Sequence, residues 1–155
     1  MSPAEPVPYI TEAEYLEGEK YAEVKHEYFD GRVYPMTHDG HPTGMAGASK
    51  AHERVAGNFF GLLLSHLRGR GCQVYKSDMK LRVLFRHQHV FYYPDVMVLC
   101  DPADDDRLDP ADDDRLIKRK PCLVVEVLSA STQGVDRREK LMYYRELPSL
   151  RAYIG

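Results

Sequence analysis

The segment from Cys122 to Leu128 constrains the fold of this chain more than any other part of its sequence. It reads Cys-Leu-Val-Val-Glu-Val-Leu, so six of its seven residues are apolar. A strand that is apolar on both faces lies in the interior of a sheet. Glu126 sits inside this strand and, by alternation, shares one face with Val124 and Leu128. Because an unpaired buried carboxylate costs several kcal/mol, Glu126 must be paired, protonated or bound to a metal.

The remaining pattern predicts one domain built from both helices and strands. A chain of 155 residues with 43% hydrophobic content can bury one core and is short for two. We expect an α/β (α+β) domain over residues 11–155, with a mixed central β-sheet flanked by helices, after a flexible arm at 1–10. Helices are expected from Thr11 toward Lys20, at 49–67 and at 136–147. A hairpin is expected at 27–34, with its turn at Asp30-Gly31. Further strands are expected at 72–76, 80–83, 91–100, 122–128 and 150–154.

The two longer helices each carry a stripe of apolar residues that is expected to face the sheet. Pro94 interrupts the strand at 91–100, so the parts before and after it are expected to differ in pairing. The expected inner residues are Val55, Phe59, Phe60, Leu63, Leu64 and Leu67 in the first of these helices, and Leu141, Tyr144 and Leu147 in the second.

The acidity of the chain is concentrated in one segment. The net charge of −3 argues at first against a nucleic-acid partner, since such proteins are usually basic. Residues 101–116 hold eight Asp and two Arg, a net charge of −6, so the remainder of the chain carries +3. This segment contains an eight-residue unit at 102–109 that almost repeats at 110–117, and we expect a duplicated Asp-rich surface loop over 101–117. The objection to a nucleic-acid partner is thereby weakened, though not reversed.

The cysteines and the apolar segments predict a location. Cys72, Cys100 and Cys122 are far apart in the sequence and form no CxxC pair, which favours three small core thiols in a reducing compartment. No stretch approaches the length of a membrane span, and residues 1–6 lack the features of a signal peptide. We therefore expect a cytoplasmic protein without a membrane partner.

A second carboxylate stands beside an apolar strand. Asp95 follows Pro94 and precedes Val-Met-Val-Leu. Two carboxylates on neighbouring central strands can share a divalent cation, which prefers oxygen ligands. Two plainer interpretations remain open: Glu126 forms a structural ion pair with a core Arg or Lys, and Asp95 simply begins a strand.

Six segments of the sequence also carry meaning as an ordered set. They are Tyr28-Phe-Asp-Gly31, the helix from Ala51-His52 through Asn58, Ser77-Asp-Met-Lys80, Tyr92-Tyr-Pro-Asp95, Val124-Val-Glu-Val-Leu-Ser129 and Asp136-Arg-Arg-Glu-Lys140. Together they resemble the Uma-type "putative restriction endonuclease" family, which belongs to the PD-(D/E)XK nuclease superfamily. The resemblance runs from about Thr11 to the C-terminus and implies a restriction-endonuclease-like core.

The resemblance implies a set of site residues. Asp95 and Glu126 would be the two acids of the motif and, with the Val127 carbonyl, would hold Mg²⁺ or Mn²⁺. The lysine expected two residues after the second acid is replaced by Leu128. The catalytic amine would then come from Lys140 on the following helix, with Lys80 as the second candidate. Two further residues have weaker claims: Glu27 as an additional early acid, and His52 as a group near the substrate.

Two functions follow as hypotheses. The first is a metal-dependent endonuclease that hydrolyses DNA phosphodiester bonds. The second, motivated by the missing lysine at position 128, is a catalytically inactive nuclease fold that binds DNA or protein. Relatives that the chain resembles usually continue past the strand at 150–154 with a further hairpin, so we expect the C-terminal end to be truncated by comparison. An uncovered sheet edge would recruit a second copy, and we expect a homodimer.

Overall fold

A computed structural model describes residues 9–38, 41–42, 50–101, 117–127 and 135–155. These residues form helices α1 (Glu12–Glu19), α2 (Lys50–Leu67) and α3 (Val135–Tyr144). Their strands are β1 (His26–Phe29), β2 (Arg32–Pro35), β3 (Thr37–His38), β4 (His41–Pro42), β5 (Gln73–Lys76), β6 (Lys80–Phe85), β7 (Gln88–Tyr92), β8 (Val96–Leu99), β9 (Ile117–Lys118), β10 (Leu123–Val125) and β11 (Ala152–Ile154).

One sheet has five strands in the order β2-β1-β7-β6-β9, and tight turns make two of its connections. The predicted hairpin is confirmed: β1 and β2 pair antiparallel, and Asp30 and Gly31 turn the chain with φ angles of 39° and 93°. Two consecutive residues with positive φ form the hairpin turn that suits the twist of the strands. Arg86 and His87 do the same between β6 and β7, with φ angles of 49° and 69°.

The second sheet positions the acids found in the sequence. Its order is β11-β10-β8-β5, with β8 antiparallel to both of its neighbours and β10 parallel to β11. Thr37–His38 and His41–Pro42 form a separate two-stranded pair. The single mixed sheet expected from the sequence is thus divided in two, while the mixed α+β class with flanking helices is confirmed.

Pro94 causes this division. The sequence predicted one strand from 91 to 100, but β7 ends at Tyr92 and pairs in the first sheet, whereas β8 begins at Val96 and pairs in the second. Proline has no N–H to donate to a ladder, so the chain leaves one sheet and enters the other around it. The expected difference in pairing on the two sides of Pro94 is confirmed.

The core lies between the strands and the C-terminal helix. Tyr143, Tyr144 and Leu147 pack with the buried faces of β6, β7, β8 and β10. Tyr144 is fully buried, and its ring meets those of Tyr92 and Tyr153 with centroids 5.5 and 5.3 Å apart. The predicted inner position of Tyr144 and Leu147 is correct, although α3 itself ends at Tyr144.

Helix α2 is less covered than its apolar stripe predicts. Its buried residues are His52 and Ala56, whereas the expected inner residues Val55 and Leu64 are 41% and 40% exposed. The four-residue spacing identifies the apolar side of a helix. It does not reveal how much of that side the neighbouring strands cover.

The structure describes only part of the segments to which the remaining sequence predictions refer. Thr11 caps α1, with its Oγ1 accepting a hydrogen bond from the Glu14 N–H at 3.1 Å, as predicted. The Asp-rich repeat at 102–116 and residues 1–8 of the expected arm lie outside the described residues. Within the described ranges, no helix is both long enough and apolar enough to cross a membrane.

The expectation of three separate thiols is wrong. Cys72 and Cys100 form a disulfide, and Cys122 is the free cysteine among the described residues. The ladder between β5 and β8 pairs Gln73 with Leu99, so the residues just outside it stand opposite each other. The two cysteines are 28 residues apart in the sequence, and their proximity depends on how β5 and β8 pair. Spacing in the sequence therefore does not predict the disulfide.

Candidate active site

The two candidate acids lie at the same end of the four-stranded sheet. Asp95 immediately precedes β8, and Glu126 immediately follows β10. The two strands are antiparallel and pair Val96 with Val125, so the next residues along the ladder are the two acids. Strand pairing therefore brings together two carboxylates that are 31 positions apart in the sequence.

Asp95 is held by two groups. Its side chain is 10% exposed. Its Oδ2 accepts a hydrogen bond of 2.6 Å from the Val127 backbone N–H. Its Oδ1 lies 3.1 Å from Nε2 of His52, which projects from the first turn of α2. The hydrogen bond and the charge of Asp95 raise the pKa of His52 above its usual value, although burial acts in the opposite direction. A protonated His52 would hold the Asp95 carboxylate as an ion pair.

Glu126 is held by two residues of α3. Its Oε1 accepts a hydrogen bond of 2.6 Å from the Tyr144 hydroxyl and lies 3.9 Å from Nζ of Lys140. Burial and the negative charge of Asp95 together raise the pKa of Glu126 to about 7, against the opposing charge of Lys140. Glu126 is therefore poised between its neutral and charged forms near neutral pH.

Lys140 connects two acids from different sheets. Its Nζ lies 2.9 Å from Oε1 of Glu27 on β1 as well as 3.9 Å from Glu126. The same Nζ stands 5.2 Å from the ring centroid of Tyr92, and the side chain is only 9% exposed. A buried ammonium flanked by two carboxylates and an aromatic face is well placed to remain charged.

Lys80, the second candidate for the amine, has different surroundings. It begins β6 in the five-stranded sheet and is 4% exposed. Its Nζ stands 5.6 Å from the ring centroid of Tyr93, whose hydroxyl donates a hydrogen bond of 2.7 Å to Glu19. Polar and apolar residues alternate at the start of β6, yet the side chain of Lys80 is buried rather than exposed.

The structure brings six of the predicted site residues into one group: His52, Asp95, Val127, Glu126, Lys140 and Glu27. His52 contacts Asp95, and Lys140 contacts both Glu126 and Glu27. Val127 was predicted to contribute its carbonyl, and the structure adds that its N–H donates to Asp95.

Tyr144 belongs to this group but was not a predicted site residue. The sequence placed it correctly on the inner stripe of the last helix, where an aromatic residue is most often core. Burial, together with the nearby Glu126 charge, raises the pKa of Tyr144, so its hydroxyl remains protonated and donates to Glu126. The available signal was the hydroxyl itself, since a buried Tyr O–H usually has a hydrogen-bond partner.

The donor set suits one kind of metal ion. No group of three or more His, Cys, Asp or Glu side chains that could hold a metal ion occurs in the part of the chain that the structure describes. Mg²⁺, however, is usually bound by one or two carboxylates and keeps several waters. Two adjacent buried carboxylates fit such an ion, because a bound cation would offset the repulsion between their negative charges.

The raised pKa of Glu126 predicts a pH-dependent stability. Between an unfolded value of 4.5 and a folded value of about 7, the folded state holds a proton that the unfolded chain has released. Stability should therefore fall as pH rises through this window and level off above it. E126Q should lack this loss and be more stable than the wild type at about pH 8, by about 1–3 kcal/mol, since a tenfold change in proton affinity corresponds to about 1.4 kcal/mol.

Urea unfolding of both proteins at several pH values measures this difference. The exposed Glu146 provides the matched control, and E146Q should follow the wild-type curve. His52 titrates in both proteins, and its pKa is raised mainly by Asp95, which both retain, so most of the difference between the two curves reports on Glu126. A constant difference between E126Q and the wild type at all pH values would show that Glu126 does not hold a proton in the fold.

The site combines two carboxylates at the end of central strands with a lysine of α3 beside one of them, in a mixed α+β fold. The family model Uma2, described as "Putative restriction endonuclease", matches residues 12–154, and the chain belongs to this family.

Two relatives are similar to this chain over most of its length. The chain is 36% identical over 153 residues to "Uncharacterized protein slr1290" of Synechocystis sp. (strain PCC 6803), a match that covers 99% of this chain and 71% of that one. It is 33% identical over 146 residues to "Uncharacterized protein sll1609" of the same organism, with 94% and 73% covered.

A solved structure shares the fold. The crystal structure of a putative nuclease belonging to DUF820 from Anabaena variabilis superposes with a TM-score of 0.56 at 15% sequence identity. The match covers 84% of this chain and 65% of that one, so this chain spans just under two thirds of the solved protein. At this identity the likeness concerns the fold alone.

Proposed function

We propose that this protein is a metal-dependent endonuclease that hydrolyses phosphodiester bonds in DNA. The observation that carries the proposal is the pair of buried acids, Asp95 and Glu126, with the Lys140 ammonium 3.9 Å from Glu126. A structural role does not explain why the two acids lie together, since their negative charges repel each other. Membership of a family described as putative restriction endonucleases supports the same function.

Each residue has a distinct part in this proposal. Asp95, Glu126 and the Val127 carbonyl hold Mg²⁺ or Mn²⁺. When bound, the ion lowers the pKa of a coordinated water and polarises the phosphate. Lys140 orients the attacking water and stabilises negative charge that develops on the phosphate.

Four neighbouring groups position these residues. Glu27 holds the Lys140 ammonium at a distance of 2.9 Å. His52 and the Val127 N–H fix the two oxygens of Asp95. The Tyr144 hydroxyl fixes Glu126 and favours its ionised form, which is the form that binds a cation. Metal binding, and with it cleavage, should strengthen as pH rises through about 7, where Glu126 loses its proton.

DNA is the proposed substrate. Outside residues 101–116 the chain carries a net charge of +3, which is compatible with contact to phosphates. Incubation of the purified protein with supercoiled plasmid in Mg²⁺, in Mn²⁺ and in EDTA tests the proposal. We expect nicked and linear DNA in the two metals and none in EDTA.

The inactive-module hypothesis predicts a different result in the same assay. Its supporting observation is Leu128 at the position where the superfamily places a lysine. It requires DNA or protein binding without cleavage, and that binding should survive substitution of both acids. A steep loss of DNA affinity with salt would separate a DNA-binding module from a protein-binding one, because phosphate contacts release counterions.

We also propose that the protein acts as a homodimer. In the described part of the chain, β11 forms one edge of the four-stranded sheet, and its Ile154 is 42% exposed. An edge strand offers unpaired backbone groups to a second chain. Light scattering at micromolar concentration should give twice the monomer mass of 17.8 kDa, and a monomer alone would contradict the proposal.

A further inference from the structure

Three cysteine sulfurs meet at the end of the four-stranded sheet opposite the acids. Cys72 precedes β5, Cys100 follows β8 and Cys122 precedes β10. Since β8 lies between β5 and β10 and is antiparallel to both, Cys100 has one cysteine on each side. Cys72 and Cys100 are joined in a disulfide, and Sγ of Cys122 lies 3.5 Å from Sγ of Cys100.

Contacts with the Val98 carbonyl hold the Cys122 thiol close to the disulfide. The backbone N–H of Cys122 donates a hydrogen bond of 2.8 Å to the Val98 carbonyl, which fixes the residue at the start of β10. Its Sγ also lies 3.4 Å from the same carbonyl oxygen. Cys100 is exposed, and Cys72 and Cys122 are half-buried, so solvent reaches the cluster. These contacts place a nucleophile beside a disulfide without closing the site to water.

We propose that this cluster is a thiol–disulfide exchange site that interconverts two linkages of the chain. The Cys122 thiol loses its proton to solvent, and the thiolate sulfur attacks Sγ of Cys100. A bond forms between Cys122 and Cys100 while the bond between Cys100 and Cys72 breaks. Cys72 leaves as a thiolate and takes a proton from solvent. One disulfide and one thiol are present before and after, so the exchange needs no external oxidant or reductant.

The exchange changes which strands are tied together. The first linkage joins β5 to β8, and the second joins β8 to β10. Strands β8 and β10 are the two that carry Asp95 and Glu126 at their other ends. The second linkage would therefore tie together the pair of strands that carries the two acids, and the first leaves that pair without a covalent link.

The rate of exchange should depend on pH. Burial raises the pKa of the Cys122 thiol, so only a small fraction is ionised near neutral pH. Below that pKa, the thiolate fraction and the exchange rate should increase about tenfold per pH unit. The exchange stands on the cysteine geometry alone, so failure of the proposed nuclease function would leave it unaffected.

Mass spectrometry of the full-length oxidised protein tests the proposal. Samples held at about pH 8.5 are quenched in acid at intervals, their free thiols are alkylated, and the peptides are mapped without reduction. We expect label at Cys122 to fall while label at Cys72 rises by the same amount, until both linkages coexist. Label that stays at Cys122 at every time and pH would overturn the proposal.

Serine variants keep the test independent of the wild-type equilibrium. The variants are compared in a glutathione buffer in which C122S forms the Cys72–Cys100 disulfide. In the same buffer, C72S should form the Cys100–Cys122 disulfide. C100S is the matched control and should show two free thiols, because it lacks the shared sulfur between the outer strands. Two free thiols in C72S, or a Cys72–Cys122 disulfide in C100S, would contradict the arrangement proposed here. Circular dichroism of each variant establishes that the comparison is made between folded proteins.

Discussion

Replacing Glu126 by Gln, or Asp95 by Asn, should reduce Mg²⁺-dependent DNA cleavage by at least about 100-fold, the scale on which loss of one preorganised charge-stabilising group affects a transition state. Each substitution removes a negative charge and keeps the size of the side chain. E126Q retains an oxygen that accepts from Tyr144, and D95N retains one that accepts from the Val127 N–H. The loss should therefore arise from weaker cation binding rather than from unfolding.

Initial cleavage rates over a range of Mg²⁺ concentrations measure this effect. E146Q removes an exposed carboxylate two residues after the end of α3 and should cleave at the wild-type rate. Thermal unfolding of all four proteins accompanies the assay. Equal activity in the wild type, D95N and E126Q would rule out the proposed roles of both acids.

Replacing Lys140 by Met should also reduce cleavage by about 100-fold, because the proposed step then lacks its charge-stabilising amine. K80M is a closely matched control, since both lysines are buried and both ammonium groups lie beside a tyrosine ring. The Nζ atoms stand 5.2 Å from the Tyr92 centroid for Lys140 and 5.6 Å from the Tyr93 centroid for Lys80. K80M should retain most of the wild-type rate.

K140M leaves Glu27 and Glu126 without a cation that lies 2.9 and 3.9 Å away, so its stability needs a separate measurement. Removal of one partner from a buried ion pair typically costs about 3–5 kcal/mol. K140R preserves the charge and should stay folded, with a smaller loss of activity than K140M at matched stability. The reverse pattern, with K80M inactive and K140M active, would assign the amine to Lys80. Full activity in both would exclude a lysine from the reaction.

Local signals explain why much of this fold was predictable. The Asp30-Gly31 turn and the Thr11 cap each depend on a few consecutive residues, and both are confirmed. The apolar run around Glu126 identified β10 as a central strand, and it lies between β8 and β11. Glu126 also drew notice because it breaks the pattern of that strand, and disagreement of this kind often marks a functional position.

Long-range register explains what the sequence did not reveal. The disulfide between Cys72 and Cys100 follows from the pairing of β5 with β8, which no local motif encodes. The hydrogen bond from Tyr144 to Glu126 depends on how α3 packs against β10. Neither contact leaves a mark in residue spacing, because each joins residues from separate elements.

The proposed role of Lys140 likewise combines a prediction from the sequence with a contact that only the structure shows. The family resemblance proposed Lys140 for the amine because Leu128 occupies the usual position. The structure places the Lys140 ammonium 3.9 Å from Glu126, which makes the role geometrically reasonable. That Lys140 acts in catalysis remains a prediction until K140M and K80M are compared.

The most direct test of the central claim is the location of a bound metal ion. Crystals of the protein grown near pH 8, where Glu126 is ionised, can be soaked in Mn²⁺ and examined by anomalous diffraction. We predict one strong peak between the carboxylates of Asp95 and Glu126, at about 2.0–2.3 Å from an oxygen of each. The same soak of the D95N/E126Q double variant should show no peak there. A wild-type map with no peak between these two carboxylates, or an equal peak in the double variant, would contradict the proposed metal site.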